Sequence, residues 1–238
     1  KISKISATPL RVPITIDVLG LNRVVHFKIC LVEIETTSGC VGFGMTGITN
    51  EEVVAAAINK VVAPELVGDD PMATEKIWEK LYWLLSPRGQ TGYAAHAIAA
   101  IDVALWDIKG KVCKEPVWRL LGGARERVPV YATFGFPFFE REQLGEAAKL
   151  WVERGFTGLK MTVSDGAIRN KNMRTLDEVL EEDIQRVRTV REAIGPQIKL
   201  YIDANCTLDP FHAIKLAKAL EPYEIAFLEE PITQNDVR

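Results

Sequence analysis

The chain has no apolar run approaching the ~20 residues that cross a bilayer, and no charged leader followed by an apolar stretch opens it. No membrane role is indicated, and the cytoplasm is the default compartment. A long basic block is also missing. With 29 basic side chains against 32 acidic ones the net charge is -3, which argues against a nucleic-acid partner. Cysteine is scarce: Cys30, Cys40, Cys113 and Cys206 show no metal-ligand spacing, so they read as packed, reduced thiols rather than a disulfide framework. Histidine is scarcer still. His26, His96 and His212 share no face, and the last two read as capping or surface residues rather than catalytic ones.

What is present suits a soluble globular protein, with 47% hydrophobic and 26% charged residues. A length of 238 residues allows one large domain or two. The polar crossing at Arg125 to Arg127 divides it as 1–125 and 126–238.

In the first part, residues 1 to about 45 read as three antiparallel strands, with Phe27 to Thr36 rich in β-branched and apolar residues and Ser38-Gly39 as a turn. Thr15 to Asn22 reads as a connecting loop. Its apolar Ile16, Val18 and Leu19 need a cover, either as buried turns or as a lid that closes on a ligand. Helices follow over Glu51 to Leu66, Met72 to Leu85 and Ala94 to Val112, the last with a buried stripe of Ala97, Ile101, Ala104, Leu105 and Ile108. Glu115 to Gly123 makes a short helical turn ended by paired glycines. Trp78, Trp83 and Trp118 read as core, and Asp102 and Asp107 as helix-packing and interface groups.

From Val128 the pattern alternates strand and helix, with strand starts near 128, 157, 199 and 225, which predicts a parallel sheet. Stripes such as Leu144, Ala147, Ala148 and Trp151 mark the covering faces of its helices. Three strand-like runs end in polar residues: GLKM with Lys160, KLYIDAN with Asp203 and Asn205, IAFLEEP with Glu229. Parallel strands wound into a barrel gather their C-terminal ends at one mouth, so an ammonium and two carboxylates would converge there. Asp203 and Glu229 stand about one βα unit apart and should end adjacent strands. Two close carboxylates repel unless positive charge lies between them, and Mg²⁺, with its preference for oxygen ligands, suits that position. The plainer alternative is strand-end acids that serve as N-caps or in salt bridges. The long segment Ser164 to Thr175 carries Arg169, Lys171 and Arg174 and reads as a solvated loop, with anion steering the sharper alternative. Cys206 reads as packing.

These residues resemble the mandelate racemase and muconate lactonizing enzyme branch of the enolase superfamily. The strongest match is AIAAIDVALWDIKGKVCKEPVWRLLGG (Ala97 to Gly123), similar to the helix and linker that join capping domain and barrel in that branch. Lys160, the DAN segment and the EEP segment support it in the same order. The resemblance implies an α+β capping (lid) domain over 1–125, followed over 126–238 by the first four βα units of a TIM-type (β/α) barrel. It implies Asp203 and Glu229 as magnesium ligands, Glu230 one layer behind them, Asn205 beside the bound carboxylate, and Lys160 facing the substrate. The superfamily is itself the standard example of a lysine or histidine base working beside Mg²⁺ to stabilise an ene-diolate. A small-molecule carboxylate substrate and a homo-oligomer are implied as well.

Two departures refine this. Racemising members place a second basic residue two positions after the lysine, and here that position is Thr162, left as a substrate-binding group because threonine accepts no proton at neutral pH. One base favours a one-sided outcome such as loss of a β-hydroxyl, so an acid-sugar dehydratase is expected, with a racemase, epimerase or cycloisomerase as the alternative and a non-catalytic scaffold as the second. The other departure is length: an eight-stranded barrel uses ~250 residues, and a third carboxylate ligand and a histidine–aspartate pair, which relatives take from later strands, have no counterpart here. An open half-barrel exposes edges, so the chain is expected to be a fragment.

Overall fold

The computed structural model describes residues 1–47, 49–87 and 92–233. The chain divides into two compact units, Lys1–Glu126 and Arg127–Arg238.

The first unit is built on a three-stranded antiparallel sheet, β1 (Ile2–Val18), β2 (Leu21–Thr36) and β3 (Val41–Gly47), in that order. The expected loop over Thr15 to Asn22 is not there. Both strands continue through it in unbroken register, Ile16 opposite Arg23 and Val18 opposite Leu21, and only Leu19 and Gly20 turn the chain. Both have positive φ, 50° and 77°, as a two-residue primed turn requires.

Helix α1 (Glu51–Ala57) runs through a π-helical segment, Ile58–Val62, into α2 (Ala63–Leu66). The π segment carries Asn59, whose side chain accepts from the Ala7 amide and donates to the Ala7 carbonyl, both at 2.8 Å. Next come α3 (Thr74–Leu85), α4 (Tyr93–Cys113) and the short α5 (Val117–Leu120). All five residues of the expected α4 stripe are buried. Small residues matter there because α4 lies directly on β3. A Cβ at Gly42 would stand 2.2 Å from the Ala104 carbonyl oxygen, and one at Gly44 2.0 Å from that of Ala100. Four helical residues rise ~6 Å and two strand residues ~6.8 Å, so the helix carbonyls and strand glycines stay matched over this contact. The tryptophans differ from expectation: Trp78, Trp83 and Trp118 are 46%, 65% and 41% exposed. In α3 the buried stripe is Thr74, Ile77 and Leu81, and Trp78 and Trp83 lie outside it.

The second unit has a parallel sheet in the order β4 (Ala132–Phe134), β5 (Gly158–Thr162), β6 (Lys199–Asp203), β7 (Ile225–Glu229). Helices α6 (Arg141–Glu153), α7 (Leu176–Ile194) and α8 (Pro210–Leu220) connect the strands. The first strand starts at Ala132, not near 128, and Val128 and Val130 are exposed. Side chains alternate across the sheet: Leu159, Met161, Leu200 and Ile202 are buried, whereas Lys160 and Tyr201 in register belong to the opposite face. The helices start with side-chain caps. Thr175 and Glu178 form a capping box on α7, and Asp209 accepts the His212 amide at the start of α8. Each secures amides that lack helical partners.

All four cysteines are free thiols; Cys30 is buried and Cys113 is exposed. Among the described residues no helix is long and apolar enough to cross a membrane.

Candidate active site

Parallel register sets the geometry. Thr162 on β5 pairs with Asp203 on β6, and Asp203 with Glu229 on β7, so three successive C-terminal ends bring one polar group each to the same level. Two residues earlier on β5, Lys160 reaches up from the same face. Its Nζ donates to Asp203 Oδ2 at 2.9 Å and to Glu229 Oε2 at 2.8 Å. Lys160 and Asp203 are buried, and Glu229 keeps about a third of its side chain exposed. The two carboxylates therefore aim at one point, and here an ammonium stands at it.

The charge state follows from these contacts. Burial pulls the Lys160 pKa down, but the hydrogen bonds and charges of Glu229 and Asp203 together outweigh it, and the net displacement is upward. Lys160 is held as a cation. Below it, Tyr201 and Phe227 stack with centroids 4.3 Å apart and Tyr131 lies 5.0 Å from Tyr201. The ammonium sits 5.8 Å from the Tyr131 ring centroid, within cation–π range.

The loops that leave the strands share a strained feature. Ser164 after β5, Asn205 and Cys206 after β6, and Glu230 after β7 all have φ between 42° and 59°, a left-handed region that non-glycine residues seldom enter and that gathers at functional sites. The Asn205 amide donates to Asp203 Oδ1 at 2.9 Å, so Asp203 uses one oxygen for its own loop and the other for Lys160. Cys206 N donates to the Glu230 carbonyl at 2.7 Å and Ala204 N to that of Glu229 at 3.0 Å, which stitches the β6 and β7 exits together. Thr162 donates its hydroxyl to the Gly135 carbonyl at 3.0 Å, so its proton is committed to the loop after β4.

As a cation site, the donors are hard carboxylate oxygens, which suits Mg²⁺. Among the described residues no group of three His, Cys, Asp or Glu could hold a metal ion; one or two carboxylates completed by water and substrate oxygens are the usual Mg²⁺ arrangement. Asp203 and Glu229 fit that role.

Arg169, Lys171 and Arg174 are exposed on the loop after β5, and Arg174 donates to the Glu178 carbonyl. His212 Nδ1 donates to the Asp209 carboxylate, and His96 bonds Thr46; neither belongs to the site. Sequence reasoning missed Asp183 and Arg186 on α7. Asp183 occupies the apolar stripe of that helix, three residues after Leu180 and four before Val187, and is 5% exposed. A carboxylate on a buried stripe was the available signal.

Compared with known proteins, residues 4–122 match the family described as "Mandelate racemase / muconate lactonizing enzyme, N-terminal domain", and 143–238 match "Enolase C-terminal domain-like". The chain is 34% identical over 208 residues to an arabinonate dehydratase of Saccharolobus solfataricus, covering 86% of this chain and 52% of that protein. It is 38% identical over 207 residues to a D-galactarolactone cycloisomerase of Agrobacterium fabrum, covering 85% and 50%. Among solved structures, a racemase from Streptomyces coelicolor with bound magnesium superimposes with a TM-score of 0.83 at 32% identity, over 99% of this chain and 64% of that one. The chain thus spans about half the length of the curated relatives it matches.

Proposed function

The chain belongs to the mandelate racemase and muconate lactonizing enzyme branch of the enolase superfamily, and on that premise we propose that the protein removes the proton alpha to a carboxylate and then eliminates a β-hydroxyl, as an acid-sugar dehydratase. One observation carries this reading: a lysine and two carboxylates from three consecutive parallel strands meet within 2.9 Å. Asp203 and Glu229 would hold Mg²⁺, with Glu230 behind them. Bound there, the ion supplies fixed positive charge where the second negative charge of the deprotonated carboxylate develops.

The chain's own groups do the rest. Lys160 presents N–H donors toward the same charge, and acts as base once it leaves the ion triplet and loses a proton. Asn205, fixed by its amide to Asp203, places its side chain at the rim for the substrate carboxylate. Thr162 binds substrate through its lone pairs, since its proton goes to Gly135. With no base at Thr162 to act on a second face, the alpha proton taken by Lys160 is handed to the departing β-hydroxyl, so that the C–O bond breaks, hydroxide leaves as water and the remaining enol ketonises to the 2-keto acid.

A relative named as a cycloisomerase at 38% identity supports a second reading, isomerisation on the same site. Two measurements on the complete protein separate these. Calorimetric titration with Mg²⁺ should weaken by at least about tenfold in Asp203→Asn and in Glu229→Gln; unchanged affinity in both overturns the metal assignment. In deuterated solvent, an acid-sugar panel should give a 2-keto product with loss of water. Deuterium uptake without water loss selects the isomerase reading instead.

A further inference from the structure

Helix α7 lies in the outer layer of the parallel unit, yet two of its side chains, one turn apart, bind backbone in the loops that frame the site. Asp183 Oδ2 accepts the Ser164 amide at 2.8 Å and the Ser164 hydroxyl at 3.2 Å. Arg186 donates to the Gly135 carbonyl and to that of Phe139, both at 3.1 Å. A carboxylate thus takes an N–H after β5 while a guanidinium takes carbonyls after β4. Gly135 is the same residue whose carbonyl receives the Thr162 hydroxyl.

The chain of contacts continues inward from Ser164. That residue is fully buried with φ 59°, a conformation serine holds only where its surroundings impose it. Its carbonyl accepts the buried Thr207 hydroxyl, which also reaches the Ala204 carbonyl at 2.6 Å. Ile168 N donates back to the Thr207 carbonyl at 3.1 Å. Ala204 lies between Asp203 and Asn205, so the exits of β5 and β6 are tied through Ser164 and Thr207, and Asp183 is the anchor at the outer end. A cavity of about 350 Å³, lined by Thr162, Glu182, Asp183 and Arg186 among others, lies beside this anchor.

We propose that Asp183 is a positioning residue: by holding Ser164 in its left-handed conformation, it fixes the exits of β5 and β6 relative to one another and so keeps the Asp203 and Lys160 side chains converged. Its bearing on catalysis rests on the functional reading above; its bearing on the loops does not. Asp183 touches neither Lys160 nor the two candidate metal ligands. Its effect passes through Ser164, and from there by Thr207 to Ala204 or by the neighbouring Val163, whose amide donates to the Asp203 carbonyl at 2.9 Å.

The test compares Asp183→Ala, Asp183→Asn and Val190→Ala in the complete protein. Val190 is fully buried on the same helix, so its truncation reproduces a loss of packing without touching the loops. In amide hydrogen exchange, Asp183→Ala should speed exchange at Ser164, Ile168 and Cys206 together, and Val190→Ala should not. Acceleration at Ser164 alone overturns the proposal, whatever the protein catalyses. In Mg²⁺ titration, Asp183→Ala should bind about tenfold more weakly, Asp183→Asn should recover part of the loss because its amide oxygen can still accept the Ser164 N–H, and Val190→Ala should match wild type. Equal losses in Asp183→Ala and Val190→Ala also overturn it. A wild-type protein that binds no Mg²⁺ rejects the functional reading, and the exchange pattern then decides this inference by itself. If Asp183→Ala fails to fold, Asp183→Asn supplies both readouts.

Discussion

Buried polar side chains divide unevenly between the two units. Among the described residues, the antiparallel unit buries Thr36, Glu51, Thr74 and Ser86, of which only Glu51 is ionisable, and Glu51 meets Arg11 Nε at 2.8 Å. The parallel unit buries Lys160, Ser164, Asp183, Asp203 and Thr207. Ser164, Asp203 and Thr207 stand at or just beyond strand C-termini, Lys160 lies two residues before the end of β5, and Asp183 reaches Ser164 from α7. Desolvating such groups is unfavourable unless every one finds a partner, and here each does. One unit is thus held by close apolar contact and the other carries an electrostatic network that folding alone does not require, as sites of chemistry commonly do.

The largest expected effect tests the close-packed side of this contrast. Gly44→Ala places a methyl group where the Ala100 carbonyl oxygen already lies, and backbone cannot move aside as a side chain can. A loss of about 3 kcal/mol is expected, read by chemical unfolding with tryptophan fluorescence; less than about 1 kcal/mol would show that α4 is not pinned to β3 as described.

The electrostatic side predicts a pH dependence. Burial pushes the Asp183 carboxyl up to about 6, against the partial relief of the Ser164 amide and Arg186. The folded protein then binds this proton more tightly than the unfolded chain does, so stability falls as pH rises from about 4 to about 6 and levels off above. The span is about 3 kcal/mol. Asp183→Asn should flatten that slope in pH-dependent unfolding, and an unchanged slope would mean that other groups produce it.

The smallest effect concerns Trp83. At 65% exposure, with an edge contact to Tyr82, its replacement by alanine should change stability by about 0.5 kcal/mol. A core tryptophan would lose about 3 to 5 kcal/mol, so thermal unfolding of Trp83→Ala separates the two cases plainly.

The sequence made some of this legible and hid the rest for physical reasons. Polar residues ending apolar runs announced where Lys160, Asp203 and Glu229 would meet, because parallel register is a strict rule of geometry. The α4 stripe was equally plain. The ribbon over Thr15 to Asn22 was not, since a bulky Leu19 in a left-handed turn is uncommon, and nothing in its neighbours signalled that the turn would be only two residues long. Val128 and Val130 have strand propensity but no ladder partner among the described residues, and propensity without pairing does not make a strand. The size of Trp78 and Trp83 suggests burial, but the phase of Ile77 and Leu81 decides which face of α3 turns inward. Asp183 was invisible to a search for strand ends: it acts from a helix, across a gap that only folding closes.

Asn59 leaves a different mark. In a sheet ordered β1-β2-β3, the first strand is an outer one, and outer strands invite pairing with foreign chains. By taking both the N–H and the C=O of Ala7, one amide closes that rung against a newcomer, and any intruding strand would have to break its ladder there. Asn59 belongs to the π-helical turn, a local irregularity by itself, so a departure from regular helix satisfies one rung at the border of the sheet.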